Sequence, residues 1–319
     1  MTPRRRRLAA VARCGCVPLL ALVAGCAAAP AWRHDLPAAI AEARAAGRDL
    51  VVFFALPGRE QSDRMQATLD DPRVTAVLSD HGFEAAIADG KERARLYAEW
   101  VAGGEGMGIA VLDGAGRCYA ARPGPQDPPE LAALLRQCAA ARSDLASLQA
   151  LVAQPAVAPL DQHALGCRLL DLGCRVRAEP LLLDAAMAGV ADARHRLARL
   201  YALDGNVQSA RRWLGSAPRT PPALVTEGYV LFKERRHRDA IAVFEQALAA
   251  GDLGADRQRA LLYLGKALHE DRQDARAVPL LEALAAEGTG STFEAAAQHT
   301  LGHLRDPQHG HDHGAAGER

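Results

Sequence analysis

Apolar and polar positions follow two periods along the chain, and the change of period divides it. From Leu36 to Ala46 apolar residues recur at helical spacing as far as Gly47, and Leu50-Val51-Val52-Phe53-Phe54-Ala55 follows as a continuous apolar run, fit for a strand buried on both faces. A helical stretch through Arg64, Met65 and Leu69 leads to Asp70-Asp71-Pro72-Arg73-Val74, which starts another helix. Phe83 to Ala88 reads as a second strand, Glu92 to Val101 as a helix and Ile109 to Leu112 as a third strand. Asp113-Gly114-Ala115-Gly116 turns the chain into Arg117 to Ala121, as in a short hairpin, and Leu131 to Ala141 closes the region with a helix. This alternation predicts an α/β sheet covered by helices.

From about residue 158 a pattern of small residues recurs instead. Gly166 is followed by Ala178, Leu182 and Ala185; the same offsets lead from Gly228 to Ala240, Phe244 and Ala247, and the first two lead from Gly265 to Ala277 and Leu281. Ala198, Ala210 and Leu214 make a weaker unit, with Tyr201 three residues after Ala198. The starts lie 32, 30 and 37 residues apart, and polar runs such as Asp204-Gly205-Asn206, Arg235 to Arg238 and Asp271 to Asp274 separate the helices. A helix from Phe293 to Leu304 caps the series.

The chain of 319 residues has room for about two domains, and a hydrophobic fraction of 49% argues against wholesale disorder. Thirty-eight basic residues balance 38 acidic ones, which leaves no general attraction for nucleic acid. That balance is uneven. Arg4 to Arg7 precede an apolar stretch, interrupted by Arg13, that runs through Val17 to Val23 and exits at Ala24-Gly25-Cys26, the form of a secretory signal too short for a confident membrane span. Val23-Ala24-Gly25-Cys26 resembles the lipobox of bacterial lipoproteins. The resemblance implies that residues 1–25 are removed, that Cys26 is lipidated, and that Ala27, in place of an aspartate, directs the protein to the outer membrane, facing the periplasm. Loss of five arginines and no acid leaves 33 basic and 38 acidic side chains, about five net negative charges.

Residues 26–145 resemble the thioredoxin superfamily, particularly its periplasmic branch: a strand, a thiol-bearing helix start, a Met three residues on and a downstream Asp-Pro-x-Val. Met65 on the family methionine puts the two thiol positions at Arg59 and Ser62, and the cis-proline position near Met107. Disulfide exchange needs a thiolate and a second, resolving thiol. Arg59 cannot be a nucleophile, and Ser62 has no His near it in sequence, so this is a degenerate thioredoxin-like domain without the usual catalysis. Residues 146–305 look like the tetratricopeptide family, an all-α helical-hairpin solenoid whose concave face binds protein. In that family the small residue lets the second helix approach, Ala240 and Ala277 sit where the pair crosses, and Phe244 or Leu281 fills the space between adjacent repeats.

Four cysteines outside the signal and lipid position, Cys118, Cys138, Cys167 and Cys174, allow three pairings in an oxidising envelope. The local choice is Cys118 with Cys138 and Cys167 with Cys174; on one continuous helix the second pair would be about 10 Å apart, unless Gly173 breaks it. Buried unpaired thiols are the alternative. His163, His195, His237 and His269 fall in different repeats with no acidic or Cys partner at ligand spacing, and read as surface or core residues. Residues 306–319 form a His-rich tail in which His309, His311 and His313, with His299 and His303 before them, suit weak capture of a divalent metal. No other cofactor is implied. The leading expectation is a noncatalytic envelope lipoprotein that binds an envelope protein or peptide through its repeats, with a periplasmic holdase or a redox protein using Cys118 and Cys138 as rivals.

Overall fold

The computed structural model describes residues 30–251 and 253–305; the signal segment, Cys26, His309, His311 and His313 lie outside the described residues. The first unit opens with α1 (Leu36–Ala46), closed by Gly47 in the left-handed region, whose N–H donates to the Ala43 and Arg44 carbonyls. Strand β1 (Leu50–Phe54) is buried at all five positions, as its unbroken apolar run predicts. Then come α2 (Glu60–Leu69), α3 (Pro72–Asp80), β2 (Glu84–Ala88), α4 (Arg93–Trp100), β3 (Gly108–Leu112), β4 (Cys118–Pro123) and α5 (Pro128–Val152). Asp71 caps α3 by accepting from the Arg73 N–H, with Pro72 at the first helical position.

The strands form one mixed sheet in the order β2-β1-β3-β4, with β1 parallel to β2 and antiparallel to β3, and β3 antiparallel to β4. Both edges are covered. Arg33 bridges to Ala86 along β2, and Gly173, 50 residues beyond β4, bridges to Ala120. Asp49, at the start of β1, accepts from Tyr119 Oη at 2.6 Å and Arg142 Nε at 2.8 Å, tying β4 and α5 to it. Helix α5 runs on past Ala141, where the apolar pattern fades, to Val152. The expected division at 145/146 therefore falls inside a continuous helix.

The remaining described residues are helical hairpins: α6 (Pro159–Asp171) with α7 (Arg175–Met187), α8 (Asp192–Leu203) with α9 (Val207–Gly215), α10 (Pro221–Lys233) with α11 (His237–Ala249), and α12 (Asp256–Glu270) with α13 (Asp274–Ala285), followed by α14 (Thr292–Arg305). In three of the four hairpins a glycine sits where the two helices meet. A Cβ on Gly228 would lie 2.7 Å from the Phe244 ring, one on Gly265 2.6 Å from Leu281, and one on Gly166 2.8 Å from Leu182. Phe244 and Leu281 thus seat against the glycine of their own hairpin as well as joining the wider core. Ala178, Ala240 and Ala277 are fully buried. The residue seven places after each small residue turns the chain with positive φ in all four hairpins: Gly173 at 81°, Gly205 at 77°, Arg235 at 59° and Arg272 at 60°. A left-handed residue costs a non-glycine side chain about 1 kcal/mol, so its recurrence at Arg235 and Arg272 marks one turn geometry used four times.

Helix α14 packs against α12, α13 and α5, which brings the end of the hairpin series back to the sheet unit. The first hairpin shares one buried core with the sheet, in which Leu169, Cys174 and Leu182 join Cys118 and Ala120.

Candidate functional site

Arg59 and Ser62, the positions that the thioredoxin resemblance would give to thiols, lie at the start of α2. Arg59 is exposed at the N-cap and makes no capping bond, while Ser62 is buried three residues into the helix side. The Ser62 hydroxyl accepts from the Leu56 N–H at 2.7 Å and donates to Met107 Sδ at 3.7 Å, so two positions 45 residues apart meet. Tyr97 Oη holds the Met107 carbonyl at 3.0 Å. All peptide bonds of the described residues are trans, including those at Met107. No base touches Ser62 among the described residues, and its oxygen is committed to closing the β1–α2 loop.

The cysteines meet differently from the local pairing. Cys118 on β4 has Cys174, the N-cap of α7, as its thiol neighbour, with the sulfurs 3.7 Å apart. Cys138 lies inside α5, where burial pushes its thiol up to about 12. Cys118 thus faces Cys174 rather than Cys138, and Gly173 breaks the helix between Cys167 and Cys174 without joining them. Cys167 instead lies 3.3 Å from His163 Nε2, four residues earlier on α6. That spacing was in plain view in the sequence, and it corrects the reading of His163 as partnerless. Asp192 completes the group, 3.5 Å from His163 and 3.2 Å from the buried His195. Hydrogen bonds to Asp192 and Cys167 raise His163 to about 9, whereas burial lowers His195 to about 3. His269 likewise has an acid, Asp274, at 2.8 Å, and His299 pairs with Asp127 and lies 2.8 Å from His303. Among the described residues no three His, Cys, Asp or Glu side chains are arranged to hold a metal ion.

With Ellman's reagent at neutral pH, the partly exposed Cys167 is expected to be modified before the buried Cys138. Peptide mapping of the labelled thiol checks this, and equal labelling of both would refute it.

A further constellation lies between the two units. Helices α6, α8, α10, α12 and α14 turn their inner sides toward the end of β4 and leave a cavity of about 310 Å³. Gly173 makes the seam possible: it sits at positive φ, and a Cβ there would run into the Ala121 carbonyl at 2.3 Å and the Arg122 guanidinium. Arg122 Nη1 donates to the carbonyls of Ala121 and Leu172 at 2.9 and 2.7 Å. Arg199, only 3% exposed, binds Asp171 at 2.6 Å and Asp256 at 3.5 Å, and Arg259 binds the same two acids and lies 5.2 Å over the Phe293 ring. Arg175 pairs with Asp204, and Lys233 Nζ stands 5.7 Å over the Tyr229 ring. Tyr229 meets Tyr263 edge-on at 4.6 Å, so aromatic faces and cations alternate along the wall.

The repeat pattern held a usable signal for this site. The residues five places after the small residue, Asp171, Leu203 and Lys233, all line the cavity in the first three hairpins. The part supplied by β4 had no such signal, because nothing local in Ala121-Arg122-Pro123 points to a helix 50 residues away. No protein-family model and no curated protein matches the chain.

Proposed function

We propose that this chain is a noncatalytic lipoprotein, anchored through Cys26 to the outer membrane and facing the periplasm, that holds a partner protein or peptide on the inner side of its helical hairpins. The sheet order β2-β1-β3-β4, with α2 and α3 between the parallel strands and α5 after the hairpin, supports a thioredoxin-like reading of the first unit. The shared left-handed turn and the glycine–Phe244 and glycine–Leu281 contacts support a tetratricopeptide-like reading of the second. The observation that carries the function is the cavity: inner-face aromatic and cationic side chains converge there, while Ser62 is spent on a loop and Arg59 offers no nucleophile. Fold and chemistry separate readily, because the core holds the sheet and the lost motif held the reaction.

Photocrosslinking in intact cells tests this. A crosslinker at Tyr263 is expected to capture a discrete envelope protein, and one at Arg238, outward on α11, to capture none. Equal capture from both, or none from Tyr263, would overturn the binding reading. Cys26→Ala is expected to release the chain from the membrane fraction, and retention would overturn the anchor.

A holdase is favoured by one separate feature: Leu160 and Met187, 68% and 77% exposed, lie on the α6–α7 hairpin with Leu183. Suppression of aggregation of an unfolded client, lost in a Leu160→Ser/Met187→Ser variant, would favour that role over a dedicated scaffold.

A further inference from the structure

The cavity between β4 and the hairpins has more positive than negative charge built into it. Its wall and the ion pairs behind it contain Arg122, Arg175, Arg196, Arg199, Lys233 and Arg259, six cations, against the three carboxylates of Asp171, Asp204 and Asp256. The surplus is not spread evenly. Arg196, Arg199 and Arg259 share two acids, Arg175 has its own, and Arg122 and Lys233 have no carboxylate within ion-pair distance among the described residues. Glu130 interacts electrostatically with Arg122, and it answers His299 and Lys266 as well. This surplus stands inside a protein whose mature chain has about five net negative charges.

A buried guanidinium without a counter-charge is costly, and carbonyl acceptors satisfy its N–H groups without neutralising it. Planar guanidinium groups match oxyanions in geometry as well as charge. Beside them Tyr229, Tyr263, Phe293, Leu170 and Leu203 supply apolar surface, and about 310 Å³ is the lower end of the size range for a small-molecule pocket. We infer that the cavity is a binding site for a carboxylate carried on an apolar body, with Lys233 and Arg122 completing its charge and the Tyr229–Tyr263–Phe293 wall receiving its stem. The inference deepens the reading of the inner face as a binding surface. A free small acid and the chain end of a bound peptide present the same chemistry.

Calorimetric titration of the full mature chain with 3-phenylpropionate and with an acetylated dipeptide ending in a free phenylalanine carboxylate tests it. Each acid is compared with its amide at low ionic strength. At least one acid is expected to bind no less than tenfold more tightly than its amide, and the tighter of the two acids identifies the source. Lys233→Gln should weaken the binding at least tenfold; Lys233 is exposed at the end of α10, so this variant keeps the fold where Arg122→Gln would open the seam. Acid and amide binding equally, neither acid binding, or an unchanged affinity in Lys233→Gln would overturn the inference. If both acids fail while Tyr263 still captures a partner, this inference falls and the protein-binding reading stands.

Discussion

Protein isolated from an oxidising compartment is expected to carry one internal disulfide, between Cys118 and Cys174, and to lose about 4 kcal/mol of stability when it is reduced. The sulfurs are 3.7 Å apart, against about 2.05 Å in the bond, so closure needs a side-chain-scale approach of about 1.7 Å. The pair is prepared for it: the contact with Cys118 and the adjacent Arg177 lower the Cys174 thiol against the opposing effect of burial. Arg177 also donates to the Cys118 carbonyl at 2.5 Å, which holds β4 and α7 in place around the sulfurs. The loop closed spans 56 residues, the separation for which chain entropy gives about 4 kcal/mol. It would join the sheet to the first hairpin across the seam at Gly173, where only short stretches of backbone pair. Peptide mapping without reductant should return a 118–174 crosslink with Cys138 and Cys167 free, and the denaturant midpoint should fall on reduction in the parent but not in Cys174→Ser. A 118–138 crosslink, or four free thiols after export, would count against it.

That pair shows where sequence reading reaches and where it stops. The strands were legible because β1 and β3 are buried on both faces and so leave continuous apolar runs. The hairpins were legible because each needs a small residue where the helices approach. Helix α5 outruns the apolar pattern that ends at Ala141 because Arg142 finds Asp49 and the His81 carbonyl, and Leu145 and Gln149 bury the next turns. The left-handed turn was visible at Gly173 and Gly205 and hidden at Arg235 and Arg272, where the backbone overrides side-chain preference. The return of α14 to α5 and the covering of the hairpins' inner side by β4 had no local trace, since they depend on how the hairpins accumulate rotation. The cavity and the Cys118–Cys174 contact are both products of that closure, so the candidate site was the least legible part of the molecule.

Asp171 is the residue on which that closure most depends, and Asp171→Ala is expected to cost about 3–5 kcal/mol, the range for removing one partner of a buried ion-pair network. Its Oδ1 accepts from Arg199 on α8 at 2.6 Å and from Arg259 on α12 at 3.1 Å, so one carboxylate at the end of α6 ties three hairpins together. Without it Arg196, Arg199 and Arg259 would face Asp256 alone, one buried and two part-buried guanidinium groups on one acid. Asp171→Asn keeps an acceptor and should cost less, which separates the charge from the hydrogen bond. The same network sets an acid limb. Burial pushes the Asp171 carboxyl up, but Arg199, Arg259 and Arg196 outweigh it and hold the group well below the usual carboxylate range. A group whose folded pKa is depressed contributes stability above its unfolded value, about 3.9, and loses it as the pH falls toward the folded one. Denaturation midpoints of the parent should therefore decline from about pH 4 downward, and Asp171→Asn, already weaker at neutral pH, should decline less steeply over that window. Parallel acid limbs in the two proteins would mean that Asp171 is not what the three arginines lean on.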